Sequence, residues 1–435
     1  MKRHAVLTTG LLLAIGCGGN SPQANMGNAG NAGNDRGGSS SGAPSSAGAG
    51  AGAGAGGAKG EGGAAAGGTP TAGTGGIVAN GGNTGAPRPP AMGTVGVWED
   101  VTSNEMDPEL FKGDSAFGVG NIVADPARPT DMYVGGYGSI WKSTDYGLTW
   151  KKLNSKPNPE DLALGHVLAV AGTTPATLWM ATGIGEEHVY RSTDGGSTFK
   201  LTGLIPEDPN AASLYSIVVD PGNANHLITG LHEADKIFES NDAGDTWVSV
   251  SGAGFPSGGK SWFPFFVNAG DAAKTSKTWF AIAQDGGSAV MTSDGGKTWV
   301  KPKGIEGLQH PHGGSQLYQN GNTLFVAGIY GPGTGVYRSL DLGKNWTRVS
   351  EGSGAIVWGS EKNVYAMWGW ACGGCTDGAD YRTAKQPGDL DTWMEGTVPE
   401  KLNWGPNSVA TTSDGKHTIF VGSMWATGLW RYVEP

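Results

Sequence analysis

From residue 118 onward, short apolar segments alternate with polar turns in a regular order. Segments of this length, bounded by Gly, Pro and Asp, are typical of β-strands joined by tight turns. The first unit shows the order most clearly, with apolar segments at Gly118–Ala124, Met132–Gly135, Ile140–Lys142 and Trp150–Leu153. The pattern predicts four antiparallel strands in about 48 residues, and it recurs down the chain.

Eight residues that follow the third apolar segment are repeated five times. The copies begin at Ser143, Ser192, Ser240, Thr292 and Ser339, at intervals of 49, 48, 52 and 47 residues. A repeat of this length is typical of solenoids, propellers and arrays. In each copy, the Asp at the third position can accept hydrogen bonds from the loop's own amides, and the Gly at the fifth can take a positive φ. The closing aromatic side chain can wedge between neighbouring sheets.

This motif resembles the Asp-box, or bacterial neuraminidase repeat, of sialidases, xyloglucanases and sortilin-like proteins. In those families the motif is structural, so the resemblance implies a β-propeller and leaves the activity open. Two further units lack a good motif, at Ala355–Met367 and at Ser408–Val433. We therefore predict an all-β protein, a seven-bladed β-propeller of four-stranded blades, with six or eight blades as the alternative.

The last unit is one strand short. Val97–Val101 has the pattern of the missing strand, because Trp98 and its neighbours match the sequence that starts at Trp150. We expect this N-terminal strand to pair beside Leu429–Val433 and to close the ring, which removes an exposed sheet edge.

The N-terminal part of the chain has a different composition. Residues 1–17 combine Lys2 and Arg3 with an apolar run that ends in Gly16-Cys17, as in an export signal. Its end resembles a bacterial lipobox, so we predict a lipoprotein signal peptide with lipidation of Cys17; ordinary secretory cleavage is the alternative. Residues 18–93 are mainly small or polar, which predicts a disordered linker. The propeller is expected at 94–435, exported and lipid-anchored at the cell envelope, on the outer membrane or cell surface.

Charge and cysteine content limit the partners. The net charge of -10 without a basic cluster after the signal argues against nucleic acid. We expect a monomer that meets the membrane only through its lipid anchor. Cys372 and Cys375 are the two cysteines that remain after Cys17, and in an exported protein they predict a local disulfide. A redox centre is the alternative, but no adjacent helix is predicted.

The unusual residues fall on one predicted face of the propeller. The turns between first and second strands are short and polar, whereas the opposite face carries aromatic, histidine and acidic residues. Aromatic side chains around a concave rim suit sugar rings, so the expected ligand is a polysaccharide or oligosaccharide. The candidate substrate-binding residues are Trp262, Trp370, Trp425, Tyr137, Gln284 and Glu233. For each tryptophan, a wedge in the core is the alternative.

Histidines on the same face indicate acid–base chemistry. Imidazoles act as general bases near neutral pH, and proton removal beside a uronate carboxylate needs such a base. Several polysaccharide lyases are seven-bladed propellers that use His and Tyr, and this face resembles them in composition. The favoured hypothesis is therefore a polysaccharide lyase that cleaves uronate-containing chains by β-elimination. The candidate catalytic residues are His232, His310, His312, His166, Tyr215, Tyr330 and Lys236.

Two other functions stay open. Glycoside hydrolysis uses two carboxylates, and five acidic residues lie on the same predicted face, though none is singled out. Sialidases carry an arginine triad that this domain lacks, and xyloglucanases are built from two propellers where only one fits here. The third possibility is a non-catalytic propeller that binds glycan or protein, as in sortilin-like proteins and photosystem assembly factors. No cofactor is expected, because the spacing of His310 and His312 is not a standard zinc spacing.

Overall fold

The strands of this protein were located in a computed structural model. It describes residues 93–106, 119–136, 139–153, 165–182, 189–206, 214, 216–231, 234–286, 289–309, 317–328, 333–351, 356–367, 381–386, 393–400, 406–415, 417–422 and 428–435. In strand residues 119, 120, 136, 139, 165, 166, 182, 285, 406, 407 and 417–422 the backbone alone is described.

Within these ranges the strands form seven antiparallel sheets, which we number in chain order. The first three follow the predicted units closely. Sheet 1 contains β2 (Val119–Ala124), β3 (Met132–Gly136), β4 (Ser139–Ser143) and β5 (Lys151–Lys152). Sheet 2 contains β6 (Gly165–Ala171), β7 (Thr177–Thr182), β8 (Val189–Ser192) and β9 (Lys200–Leu201). Sheet 3 contains β10 (Val218–Asp220), β11 (Asn223–Gly230), β12 (Ile237–Ser240) and β13 (Val248–Ser249).

The remaining sheets include the two units that lack the motif. Sheet 4 contains β14 (Lys260–Phe266), β15 (Trp279–Asp285) and β16 (Ala289–Thr292), and sheet 5 contains β17 (Tyr318–Asn320), β18 (Thr323–Gly328), β19 (Gly335–Ser339) and β20 (Thr347–Ser350). Sheet 6 contains β21 (Ile356–Gly359), β22 (Asn363–Met367), β23 (Tyr381–Lys385) and β24 (Met394–Gly396). Sheet 7 contains β25 (Pro406–Thr411), β26 (His417–Gly422), β27 (Leu429–Val433) and the N-terminal β1 (Trp98–Asp100).

Sheet 4 has three strands, whereas the sequence predicted four strands in each blade. The fourth segment is reduced to a bridge in which Val300 and Met291 exchange backbone hydrogen bonds of 2.9 Å. Residues just before this bridge pair instead with the chain that leaves sheet 3, through Ala253 and Thr298. A short helix, α1 (Ala272–Thr275), connects β14 to β15. In the described ranges no helix is long and apolar enough to span a membrane.

The pairing predicted for the N-terminal segment is confirmed. β1 runs antiparallel to β27, with Trp98 opposite Tyr432 and Asp100 opposite Trp430. The backbone amide of Val101 extends the ladder by donating to the Leu429 carbonyl at 2.8 Å. The first strand of the described residues therefore completes the sheet formed by β25, β26 and β27.

The repeated motif forms a hydrogen-bonded turn in all five copies. In the fourth copy, Asp294 accepts from the Thr298 backbone amide at 2.9 Å and from its hydroxyl at 2.6 Å. The Thr292 hydroxyl donates to Asp294 at 2.8 Å and accepts from the Gly296 amide at 3.1 Å. The bonds from Thr298, which outweigh the effect of burial, lower the pKa of Asp294 to about 2. The same bonds recur in the other copies.

The fifth-position glycines have positive φ as predicted, but so do the residues before them. Tyr146, Ala243 and Leu342 stand at the fourth position with φ of 59°, 60° and 59°. Left-handed backbone is unfavourable for side chains other than Gly, Asn and Asp, so these three residues do not predict it. In the second and fourth copies the same position is Gly195 and Gly295, each with a φ of 72°. The hydrogen bonds of the turn hold the backbone in this conformation.

The core lies between successive sheets, where the motif's closing aromatic residue is buried. Trp299 is 4% exposed and packs with Trp279 and Phe255 between sheets 3 and 4. Trp346 is 5% exposed, and its ring centroid lies 5.1 Å from that of Phe280 in the preceding sheet. The expectation that these aromatic residues are wedges between sheets is confirmed.

The first strands of neighbouring sheets are joined by buried side chains. Asn121 on β2 donates to the Leu168 carbonyl on β6 at 2.8 Å. On its other side, Asn121 accepts from the Ser408 hydroxyl on β25 at 3.2 Å, and Ser408 accepts from the Ile122 amide at 3.2 Å. Sheet 1 is therefore in contact with sheet 2 and with sheet 7, the last in the chain.

An arginine contact is repeated between two pairs of sheets. Arg191 of sheet 2 donates to the carbonyl of Ala243, the fourth residue of the motif in sheet 3, at 2.9 Å. Arg431 of sheet 7 donates to the carbonyl of Tyr146, the fourth residue of the motif in sheet 1, at 3.2 Å. Sheet 7 thus contacts sheet 1 in the same way that sheet 2 contacts sheet 3.

Sheet 3 contains a buried histidine between two carboxylates. His226 Nδ1 lies 2.8 Å from Asp220 and Nε2 lies 2.9 Å from Glu239, while Phe266 and Trp279 pack on the ring. Burial alone would lower the pKa of His226, but the two carboxylates outweigh it and raise the pKa to about 9. His226 is therefore a cation at neutral pH, and both ring nitrogens donate.

This cluster predicts a loss of stability in alkaline solution. The folded-state pKa lies above the ordinary 6.5, so the stabilisation is complete below about pH 6.5 and is lost as the pH rises through about 9. The difference in unfolding free energy between the wild type and His226→Gln should shrink by on the order of 2–3 kcal/mol over that window. Urea unfolding at several pH values measures it. A difference that does not change with pH would show that His226 is neutral in the folded protein.

Candidate functional site

A cavity of about 470 Å³ lies where the first strands end and lead into the first turns. Six of the seven sheets supply residues to its wall, and sheet 2 is the exception among the described residues. The deeper wall is apolar, with contributions from Ala124, Val218, Val357 and Ala410. The cavity is thus bordered by strands and turns from most of the sheets and is partly open to solvent, and its volume lies within the size range of ligand pockets.

Aromatic residues form part of the wall. Phe266 and Trp358 both line the cavity. The Trp358 ring stacks on Tyr365, with centroids 5.2 Å apart and planes 8° from parallel, so its orientation is fixed. Trp358 is only 4% exposed, so the partly exposed Phe266 is the one of these two residues with surface available to a sugar ring.

Glu434 enters the wall just after β27. Its Oε1 accepts from Asn363 Nδ2 at 2.6 Å and from the Tyr365 hydroxyl at 2.9 Å. Burial and then the charge of Glu434 raise the pKa of Tyr365. Tyr365 therefore remains a neutral donor, and Glu434 is held by two hydrogen bonds in one orientation.

Two more carboxylates and one ammonium group lie in the lining. Glu361 and Lys362 are exposed in the turn after β21. Lys362 Nζ lies 3.5 Å from the carbonyl oxygen of Pro435. Asp414 accepts from the Thr412 hydroxyl at 2.6 Å and from the Tyr146 hydroxyl at 3.4 Å. With three carboxylates and one ammonium group, the lining carries net negative charge.

The turns around the cavity are tied to one another. Gln319 Nε2 donates to the Asn268 carbonyl at 2.8 Å, and its Oε1 accepts from the Asn268 amide at 2.9 Å, which links sheets 4 and 5. The Tyr318 hydroxyl donates to the Ser360 carbonyl and links sheets 5 and 6. Burial raises the pKa of Tyr318, so this donor stays protonated. The wall on this side is therefore built from cross-linked turns.

Most residues proposed from the sequence lie outside the described residues. These are the candidate catalytic residues His232, His310, His312, Tyr215 and Tyr330, the candidate sugar contacts Trp370, Trp425, Tyr137 and Glu233, and Cys17, Cys372 and Cys375. His166 belongs to β6, but its side chain is outside the described part. The proposed roles of these residues stay predictions.

Three candidates are described, and none of them lines the cavity. Trp262 is 0% exposed, donates to the Gly259 carbonyl at 3.1 Å and packs on Phe255. Its whole surface is packed against core residues, so it offers no face to a sugar. Trp262 is therefore a wedge in the core, which was the alternative stated from the sequence. Gln284 is also buried, at 5% exposure, and Lys236 is partly exposed just before β12.

The cavity opens among turns that the sequence analysis judged to be short and bland. Three of them supply Gln319-Asn320, Glu361-Lys362 and Asp414 to the lining. The sequence feature that could have indicated this site is the recurrence of carboxylates and amides in the turns of successive repeats. Among the described residues, no group of three His, Cys, Asp or Glu side chains is placed to hold a metal ion.

Comparison with known proteins relates this chain to xyloglucanases, and no family model matches it. A xyloglucanase of Acetivibrio thermocellus is 29% identical over 157 residues, which cover 30% of this chain and 18% of that protein. A xyloglucanase of Hypocrea jecorina is 26% identical over 301 residues, 58% of this chain and 34% of that protein. The chain thus spans between about a fifth and a third of the length of these relatives.

Solved structures agree on the fold. The GH74 xyloglucanase of Xanthomonas campestris superposes with a TM-score of 0.57 at 17% identity, covering 77% of this chain and 53% of that one. YCF48 from Cyanidioschyzon merolae superposes with a TM-score of 0.50 at 15% identity, covering 78% of this chain and 98% of that one. These structures are β-propellers, and this chain is an all-β protein with that fold.

These findings correct the function favoured from the sequence. The relatives are glycoside hydrolases, so the prediction of a polysaccharide lyase acting on uronate is wrong. That prediction used the composition of one face, which lyases and hydrolases share because both bind sugars with aromatic and polar side chains. The alternative of glycoside hydrolysis fits the comparisons better.

Proposed function

We propose that this chain is a glycoside hydrolase that acts on a neutral polysaccharide related to xyloglucan. The observation that carries the proposal is the sequence match to xyloglucanases of three different organisms. The cavity adds chemical support, because the aromatic side chain of Phe266 and neutral amides stand beside carboxylates in its lining.

Hydrolysis of a glycosidic bond needs one carboxyl group as acid and another as base or nucleophile. Glu434 is the candidate for the second role, because the hydrogen bonds from Asn363 and Tyr365 hold its carboxylate in one orientation at the cavity. Glu361 and Asp414 line the same cavity and are the candidates for the acid. All three lie in one wall, so the cavity supplies the residue types that the reaction requires.

We also propose that the seven sheets form one closed ring of seven blades. Three contacts support it: β1 pairs with β27, Ser408 bonds to Asn121, and Arg431 reaches the motif of sheet 1 as Arg191 reaches that of sheet 3. A closed ring fixes the turns around the cavity relative to one another.

A non-catalytic glycan-binding propeller is the second candidate. The specific observation in its favour is that about half of the Xanthomonas campestris xyloglucanase has no counterpart in the matched chain, which covers 53% of it. If the catalytic site needs residues from that other half, this chain would lack a complete site and would bind the glycan without cleaving it.

Incubation of the full chain with xyloglucan, other neutral β-glucans and polygalacturonate tests the proposal. We expect reducing ends from the neutral glycans and none from polygalacturonate. Glu434→Gln should lower kcat by at least about 100-fold, because it removes an ionisable group from the reaction while an oxygen remains to accept the two bonds. Thermal unfolding of the variant serves as its control. Binding to the glycans without any release of reducing ends would favour the non-catalytic candidate.

The N-terminal region is proposed to export and anchor this propeller. Residues 1–17 would be the lipoprotein signal, Cys17 the lipidated residue and residues 18–93 a linker that holds the folded part away from the membrane. Incorporation of labelled palmitate into the wild type and not into Cys17→Ser tests the anchor. Equal labelling of both would contradict it. A disulfide between Cys372 and Cys375 is proposed on the same basis and is checked by the mass of the unreduced protein.

A further inference from the structure

We propose that the cavity receives the end of a neutral glycan chain, in preference to an internal segment or to an acidic chain. The inference rests on the proposed function and adds to it the form in which the substrate is bound. It follows from the enclosure of the cavity, from the charge of its mouth and from the neutral groups beside that charge.

The enclosure favours a chain end. Strands and turns from six sheets line the cavity, so the wall surrounds it on several sides instead of forming two parallel banks. Farther along the first strands, Asn121 and Ser408 are 0% exposed and bond to each other, which fills the space between β2 and β25. A linear polymer enters a depression bordered on several sides by its end, whereas an internal segment needs a cleft with two exits.

The charge of the lining excludes an acidic chain. Glu361, Asp414 and Glu434 contribute three carboxylates, and the one ammonium group, that of Lys362, lies beside the Pro435 carbonyl. A uronate entering this wall would meet like charge in a partly desolvated space, where repulsion is stronger than in bulk water. A neutral sugar meets no such repulsion, and its hydroxyl groups can donate to the same carboxylates.

Neutral groups are placed to recognise a sugar. Asn320 of sheet 5 and Ser413 of sheet 7 lie in the lining. Asn320 Nδ2 lies 3.4 Å from the Glu361 carbonyl oxygen, and Ser413 precedes Asp414 in the chain. The partly exposed Phe266 supplies apolar surface in the same lining. The combination of an aromatic side chain, amide and hydroxyl groups and acceptor carboxylates matches a polyhydroxylated ring that carries no charge.

A chain-length series distinguishes end binding from internal binding. Glu434→Gln, in which cleavage is slowed, is titrated with xyloglucan fragments of increasing length at equal mass of glycan. If ends are bound, the amount of protein bound per gram falls in proportion to the number of chains. If internal segments are bound, the amount per gram stays constant, and the proposal is overturned while the proposed hydrolase function survives.

A blocking variant locates the binding in the cavity. Glu361→Trp adds a large side chain to the exposed turn at the mouth, and Glu395→Trp adds the same side chain to β24, where the glutamate side chain is 68% exposed and lies outside the cavity lining. We expect affinity for a neutral oligosaccharide to fall at least 10-fold in the first variant and less than twofold in the second. Equal affinities for both would overturn the assignment to this cavity, whether or not the chain hydrolyses glycans.

Charge removal tests the exclusion of acidic chains. In the double variant Glu361→Gln and Asp414→Asn, affinity for oligogalacturonate should rise at least 10-fold, while affinity for a neutral oligosaccharide should change far less. Unchanged rejection of oligogalacturonate would contradict the electrostatic argument. Failure of the wild type to bind or cleave any neutral glycan would overturn the proposed function and this inference together.

Discussion

Gly304→Ala is expected to lower the free energy of unfolding by about 3 kcal/mol, as the sum of backbone strain and a steric clash. Gly304 has a φ of +77°, and a Cβ atom there would lie 2.2 Å from the Trp346 carbonyl oxygen. That carbonyl belongs to the closing residue of the motif in sheet 5, and next to it Lys303 and the motif exchange backbone hydrogen bonds. The substitution therefore separates sheet 4 from sheet 5. Urea unfolding measures the loss.

Gly321→Ala is the matched control for this effect. Gly321 also has a positive φ, +57°, but no atom lies within 4 Å of a Cβ built there. It should lose about 1 kcal/mol, the cost of the backbone conformation alone. Gly254 repeats the geometry of Gly304 between sheets 3 and 4, with φ of +82° and a contact of 2.3 Å to the Trp299 carbonyl, so Gly254→Ala should resemble Gly304→Ala. Equal losses in Gly304→Ala and Gly321→Ala would contradict the packing argument.

Arg431→Met is expected to destabilise the protein by about 2–3 kcal/mol, because it removes buried hydrogen bonds to Glu99 and leaves that partly exposed carboxylate without its partner. The Arg431 side chain is 2% exposed, and two of its nitrogens lie 2.9 and 2.6 Å from Glu99 on the closing strand. A third donates to Tyr146 in sheet 1. These hydrogen bonds, which outweigh burial, lower the pKa of Glu99. The variant should therefore loosen β1 before the rest of the fold, which hydrogen exchange at the β1 amides detects.

Arg382→Met provides the comparison for Arg431. Arg382 also lies in the third strand of its sheet, but its side chain is 32% exposed and its carboxylate partner, Glu395, is 3.7 Å away. Partly exposed ion pairs contribute at most about 1 kcal/mol, so a small loss is expected. In the double variant with Glu99→Gln, the loss caused by Arg431→Met should shrink, because the unpaired carboxylate is gone. A loss in Arg431→Met no larger than in Arg382→Met would show that the stability of sheet 7 does not depend on this contact.

The parts of the fold that the sequence predicted are those set by local patterns. The motif's hydrogen bonds join residues within eight positions, so residue types at fixed spacing are sufficient to predict them. β1 could be assigned because Trp98–Asp100 repeats the pattern of a fourth strand and the last unit was one strand short. The burial of the residue that closes the motif could be predicted, because an aromatic residue recurs at this position in each copy.

Features that contradict residue preference, or that depend on contacts with other strands and sheets, could not be predicted in this way. The positive φ of Leu342 contradicts residue preference and is held by the turn around it. His226 receives its second carboxylate from the next strand, through Glu239, and Arg431 reaches a residue 285 positions earlier in the chain. Trp262 looked like a surface aromatic in the sequence, yet the packing of sheets 3 and 4 buries it completely.

The candidate site shows the same limit more strongly. Residue types on the loops suggested sugar chemistry but did not distinguish elimination from hydrolysis, because histidines, aromatics and acids occur with both. The cavity, in contrast, is assembled from turns of six sheets whose members are each unremarkable in sequence, such as Gln319 and Glu361. These residues come together only through the arrangement of the sheets, so the sequence of a single repeat does not indicate the site.

Cleavage of xyloglucan in water enriched in oxygen-18 tests the central claim most directly. A glycoside hydrolase adds one water molecule to each bond that it breaks, so new chain ends should carry the label above the level reached by spontaneous exchange in products incubated without protein. Glu434→Gln, folded as the wild type, should produce such ends at least about 100-fold more slowly. Intact xyloglucan after prolonged incubation with the folded full chain, or cleavage at the wild-type rate by Glu434→Gln, would contradict the account.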